Sequence, residues 1–173
     1  SIIKIYGSEM LDFVVDEAVQ VYGGYGFHEE YPVARAYRDS RVNRIFEGTN
    51  EINRLLIIDM LMKRAMKGIL PLIPAAIKIA GDLVAPPSFE EPSTAPFAEE
   101  ERAVENAKKA FLMAAGSAVQ KHQQKLAEHQ EVIGALSNTV MEIYAMESCL
   151  RRAQKSVAAR GGESAGAMVD AAR

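Results

Sequence analysis

The chain has 173 residues, enough for one domain of ordinary size or for one domain and a fragment. Its composition is 49% apolar and 25% charged, inside the globular range, which excludes a disordered or collagen-like chain. The net charge is −3 with Lys and Arg dispersed, so no basic footprint for nucleic acid exists.

The start, Ser1-Ile2-Ile3-Lys4, has neither an initiator methionine nor a signal-peptide layout and opens directly in helical periodicity. It reads as a cut chain. From Ile2 to Tyr22 the apolar positions Met10, Phe13, Val14, Ala18 and Val21 recur at helical steps until Gly23-Gly24 stops them. A short helix carrying Val33, Ala36 and Tyr37 is expected from Tyr31-Pro32 to about Val42, because proline in a first turn loses no needed donor. After a turn at Gly48, Asn50 can cap a further helix lined by Ile52, Leu55, Leu56 and Met60 and ending near Gly68.

Pro71, Pro74, Pro86, Pro87, Pro92 and Pro96 then mark a linker over 69–98, interrupted by a short apolar helix from Ala75 to Leu83 and extended from Ala85 to Pro96. Two long antiparallel helices are predicted over 99–160. One carries Val104, Ala107, Phe111, Ala114, Ala118 and His122; the other carries Leu136, Val140, Ile143, Leu150, Ala153 and Val157. Their connection falls near Ala127 to Glu131, and a frayed tail is expected over 161–173. With no alternating strand pattern, the fold class is all-α: a helical bundle over 1–68, a linker, a second helical domain and a tail.

Cys149 cannot form an intrachain disulfide and reads as a helix packing residue. The histidines His28, His122 and His129 lack any ligand spacing, so no metal is expected. The apolar run Leu55 to Met62 is broken by Asp59 and falls short of the ~20 residues that cross a membrane.

Two segments carry candidate chemistry. Gln20-Val21-Tyr22-Gly23-Gly24 ends a helix in glycines that let a bulky anionic group approach the backbone, or that merely form a C-cap. Glu47, between Ile45-Phe46 and Gly48, has the setting of a dehydrated carboxylate tuned as a proton acceptor, or of an acidic residue favoured by the next helix's dipole. Thr49 and Asn50 read as caps or as ligands.

Taken together, the runs Lys4 to Met10, Gln20 to Phe27, Arg38-Asp39 and Arg44 to Arg54 resemble the carboxyl-terminal helical domain of the flavin-dependent acyl-CoA dehydrogenases, with order and spacing agreeing over Ile2 to Met66. The stretch from Met141-Glu142-Ile143-Tyr144-Ala145-Met146 to Arg160-Gly161 is similar to the extra carboxyl-terminal domain of the very-long-chain type.

The resemblance implies that Glu47 is the catalytic base that removes the α-proton of a fatty acyl-CoA while the β-hydrogen leaves as hydride to FAD, giving a trans-2-enoyl-CoA. It implies that Gly48 borders the acyl chain and that Thr49, Asn50 and Glu51 lie against FAD. Gln20, Val21, Tyr22, Gly23 and Gly24 would contact FAD held mainly by a neighbouring subunit, so a homo-oligomer and an electron-transfer flavoprotein or similar acceptor are expected. Glu51 stands where many relatives carry glutamine.

With the family's amino-terminal and middle domains absent, the fragment alone is expected to bind FAD poorly and to be inactive. The resemblance places the protein in the cytoplasm if bacterial and in mitochondria if eukaryotic, with peripheral membrane attachment through Ile69 to Val84 weighed against simple packing. The alternative from another class is a non-catalytic helical module that docks a partner or membrane.

Overall fold

A computed structural model describes residues 1–82 and 95–160. Seven α-helices form among the described residues, with no strand: α1 (Ile2–Tyr22), α2 (Gly24–Phe27), α3 (Pro32–Val42), α4 (Asn50–Met66), α5 (Leu72–Asp82), α6 (Ala98–His122) and α7 (Gln130–Arg160). The chain divides into two compact units, Ser1–Met60 and Leu61 onward, and α4 runs through the division.

In the first unit α1 packs on α2 and α3. Its inward positions are Ile5, Ser8 and Val15, with Asp12 and Val19 half-buried, a three-and-four-residue rhythm. This corrects the face expected from the sequence: Met10, Phe13, Val14 and Val21 are each more than half exposed. The helix has two apolar faces, and this chain covers the one that includes Ser8. The same inversion occurs in α4, where Ile52, Leu56 and Met60 face outward while Asn50, Asn53, Ile57 and Ile58 are buried.

Two glycines shape the end of α1 for different reasons. Gly23 leaves the helix at φ 58 and ψ −138, a conformation open essentially to glycine, and its N–H still donates to the Gln20 carbonyl. At Gly26 a Cβ would fall 2.6 Å from the Val19 carbonyl oxygen, so only glycine lets α2 fold back against α1. Proline opens α3 as expected. Pro74 likewise sits in the first turn of α5, so that helix begins at Leu72, ahead of the Ala75 start expected from the sequence.

In the second unit α5 packs on α6, and α6 packs antiparallel on α7. The direction is fixed by cross-pairs: Glu101 accepts from Gln154 at 2.8 Å, and Lys108 reaches Glu147 at 2.9 Å. Between them Val104, Ala118, Leu136, Met141, Leu150 and Ala153 form a buried seam rich in small residues. Ala114, expected on the stripe, is exposed, while Ala115 beside it is half-buried. Cys149, expected to pack, is also exposed. A 3-10 turn over Gln123–Glu128 makes the connection. The expected extended stretch of the linker lies mostly outside the described residues, as does the expected tail over 161–173.

Candidate active site

The turn that carries Glu47 is built by the end of α3. The N–H groups of Ile45 and Phe46 both donate to the Val42 carbonyl, at 2.9 and 3.1 Å, and the chain then reverses so that the Asn50 N–H donates to the Arg44 carbonyl at 3.1 Å. Within that loop Glu47 has φ 55 and Gly48 φ 79. Two consecutive residues are therefore left-handed, and the first is not glycine. Such a residue costs about 1–3 kcal/mol and persists only where its surroundings over-determine it.

The surroundings are polar and partly buried. The Gly48 carbonyl accepts from Asn53 Nδ2 at 2.7 Å and from Lys4 Nζ at 2.9 Å. Lys4 Nζ also donates to Asn50 Oδ1 at 2.6 Å. Asn50, 1% exposed, donates through Nδ2 to Ser8 Oγ at 2.9 Å and to Glu9 Oε1 at 3.1 Å. Glu9 takes a two-pronged ion pair from Arg54, at 2.8 and 2.9 Å. These bonds to the Arg54 guanidinium, and then the Asn50 amide, hold the Glu9 carboxyl below its usual range against the opposing effect of burial. Buried polar groups that are this fully paired specify one arrangement.

The capping role expected of Asn50 is not what the structure shows: it is the first residue of α4, and its side chain bonds to Lys4, Ser8 and Glu9 of α1. Thr49 makes the cap: its Oγ1 accepts from the Ile52 N–H at 3.2 Å. Glu51, exposed in the first turn, has its carboxyl held down by its own backbone N–H and by the Thr49 hydroxyl. Glu47 is exposed, and so are Ile45 and Phe46 beside it. The apolar enclosure expected around its carboxylate is not supplied by the described residues. No carbonyl among them accepts from the Glu47 N–H.

Gln20 to Gly24 lie at the other end of α1. From Lys4 to Gln20 is sixteen residues of helix, about 24 Å at 1.5 Å per residue, so within one copy the two motifs are held apart. All five residues from Gln20 to Gly24 are exposed. At Gly24 a Cβ would meet nothing within 4 Å, and its φ is ordinary, so nothing within the described chain requires a glycine there.

The sequence reading assigned no role to Lys4, Ser8, Glu9, Asn53 or Arg54. The available signal was Ser8, four residues after Lys4 and so on the same face of one helix, with Asn50 and Asn53 at the start of another.

Two family models match the chain, over residues 1–62 and 106–171, and both are described as acyl-CoA dehydrogenase, C-terminal domain. These segments belong to the acyl-CoA dehydrogenase family.

Over 165 residues, 95% of the chain, the acyl-CoA dehydrogenase segment is 48% identical to a probable acyl-CoA dehydrogenase of Bacillus subtilis and spans 28% of that protein. It is 53% identical over 57 residues, 33% of the chain and 9% of the relative, to the rat mitochondrial very long-chain specific acyl-CoA dehydrogenase. The crystal structure of an acyl-CoA dehydrogenase complexed with FAD from Bacillus anthracis superposes with a TM-score of 0.90 at 45% identity, over 97% of this chain and 28% of that one. The chain thus spans little more than a quarter of the relatives that match it along its length.

A cleft of about 790 Å³ in this acyl-CoA dehydrogenase segment opens between α1, α2 and α3. Arg35, Arg38 and Arg41 line it, with Arg38 paired to Glu29 at 2.8 Å, and it contains neither Glu47 nor any of Gln20 to Gly24.

Proposed function

We propose that the full-length protein is an FAD-dependent acyl-CoA dehydrogenase and that Glu47 is its base. The observation that carries the reading is the Glu47–Gly48 turn: an exposed, left-handed carboxylate residue, pinned from behind by Lys4, Asn50 and Asn53. The side chain takes the α-proton of an acyl-CoA thioester. The Glu47 N–H then donates to the thioester oxygen as negative charge develops there, where a preorganised donor has its largest effect.

FAD, when bound, supplies the two-electron acceptor for the β-hydride. Thr49 and Glu51, outward at the start of α4, face it on one side, while Asn50 holds the turn from behind. Gln20 to Gly24 meet the cofactor of a second copy. The 24 Å reach of α1 between the two motifs and the unexplained glycine at position 24 support that division of labour, and with it a homo-oligomer. Gly48 borders the acyl chain.

Long-chain acyl-CoA is the finer part of the proposal. It rests on the resemblance of the stretch 141–161 to the extra carboxyl-terminal domain of the very-long-chain type, within the second matched segment, 106–171. The acceptor of the flavin's electrons is proposed to be an electron-transfer flavoprotein, as the name of one relative, a caffeyl-CoA reductase–Etf complex subunit, suggests.

The test is Glu47→Gln in the full-length protein, assayed with butyryl-, octanoyl- and palmitoyl-CoA. Loss of a positioned base predicts a fall in kcat of roughly 10²–10⁴-fold with FAD still bound. Oxidation at the parent rate would overturn the assignment of Glu47, and a preference for butyryl-CoA would overturn the long-chain reading alone.

A further inference from the structure

We propose that Lys4 is a positioning residue for Glu47, acting as a clamp on the Gly48 carbonyl; the proposal rests on the reading of Glu47 as the base. Its ammonium lies 2.9 Å from the Gly48 carbonyl oxygen and 2.6 Å from Asn50 Oδ1, so it ties the turn to α1 and to the first residue of α4 together. The same carbonyl receives Asn53 Nδ2 at 2.7 Å, and a Cβ on Gly48 would stand 3.1 Å from that amide. Two donors thus fix the peptide plane that follows Gly48.

The other end of the loop is fixed by the Asn50 N–H on the Arg44 carbonyl at 3.1 Å. Between these anchors the backbone closes with Glu47 at φ 55, a conformation its side chain does not favour. Where the carboxylate and the N–H of Glu47 point is therefore set by the anchors, and reaction rate is sensitive to such placement because near-attack geometry tolerates little displacement.

Lys4 is itself held. Asn50 cannot swing away with it, because its Nδ2 is taken by Ser8 Oγ and Glu9 Oε1, and Glu9 is fastened by Arg54. A hydrogen bond from an ammonium is stronger than a neutral one, which suits a donor whose work is to oppose backbone strain. Its loss leaves the Gly48 carbonyl with Asn53 alone.

The experiment compares Lys4→Met, Lys4→Arg and Glu47→Gln in the full-length, FAD-loaded protein, reading kcat, KM for palmitoyl-CoA and the rate at which the substrate α-proton exchanges with deuterated water. Lys4→Met is expected to lower kcat and α-exchange together by about 10–100-fold. KM should change by less than about twofold and FAD should be retained. Lys4→Arg, which restores a charged donor, is expected to recover part of the loss.

A Lys4→Met enzyme with unchanged kcat and exchange overturns the proposal, while a dead Glu47→Gln beside it leaves the base reading standing. An active Glu47→Gln enzyme sinks the base reading instead. If Lys4→Met is recovered without FAD, Asn53→Ser, which removes the other donor to the same carbonyl, decides: a fall in kcat at constant KM supports the clamp, and parent-level kcat overturns it.

Discussion

The two compact units differ in how their buried polar groups are used: those of the first are linked in one hydrogen-bonded network, whereas the Ser137 hydroxyl of the second has no partner among the described residues. In the second, α6 and α7 meet along a mainly aliphatic seam that also buries Ser137 and Ser156, and the Lys108–Glu147 pair is half-exposed beside it. In the first, the centre of the contact between α1 and α4 is polar: Ser8, Asn50 and Asn53 are buried, with Lys4, Glu9 and Arg54 around them, while apolar side chains such as Phe13 and Val14 face outward. The first unit buries these polar side chains beside an aliphatic core of Ile5, Val15, Ile57 and Ile58. The first unit uses its interior to hold a turn, and the second uses its interior to hold itself.

Core truncations test this contrast with the largest effect. Ile5→Ala and Leu150→Ala remove side chains that are 0% and 2% exposed, and each is expected to cost about 2–5 kcal/mol in denaturant unfolding of the full-length protein. Their effects on activity should separate. Ile5 is next to Lys4 in α1 and its carbonyl accepts from Ser8 Oγ, so its loss should also depress kcat, whereas Leu150→Ala should leave the kcat of the folded fraction within about twofold. An equal fall in both would erase the distinction between the units.

A smaller effect is expected at the Glu9–Arg54 pair. Both side chains are partly open to solvent, at 36% and 20% exposure, so screening limits the pair to about 1 kcal/mol. Because the folded state holds the Glu9 carboxyl below its unfolded value, this stability is fully present above that value and is lost as pH falls through the folded one. Arg54→Met should flatten that acid limb of the stability profile in chemical denaturation, and an unaltered limb would remove Glu9 from the network.

The smallest effect belongs to the second unit, where the His122 and His129 rings meet at a tilt of 47° with centroids 3.9 Å apart. Desolvation, then His129 and Lys121, lower the pKa of His122, so the unfolded chain binds its proton more readily. The contribution is present above the ordinary imidazole range and is lost as pH falls through the folded value. His122→Asn should make the melting temperature less sensitive to pH between 7 and about 5, and an identical slope would contradict the pair's role.

The elements were legible in the sequence wherever punctuation was strong. Gly23, Pro32 and Gly48 mark boundaries by conformations that few residues share, so the ends of α1 and α3 fell within a residue or two of expectation. The inward faces of α1 and α4 were not legible, because both helices are apolar on two sides and periodicity alone cannot say which side this chain covers. Glu47 and its neighbours were legible as a pattern.

The hand that holds them was not. Lys4 looks like a surface lysine and Asn50 like a cap until the fold brings α1 against the start of α4 and gives each a partner 46 residues away. Polar residues on an apolar helix face were the available signal, and their meaning depended on the partner helix.

The most direct measurement is rapid mixing of the full-length Glu47→Gln protein, loaded with FAD, against palmitoyl-CoA, following the flavin absorbance. The account predicts that substrate binds but that bleaching of the flavin slows by at least about 100-fold relative to the parent. Bleaching at the parent rate would contradict it, and with it the claim that the turn held by Lys4, Asn50 and Asn53 presents the base.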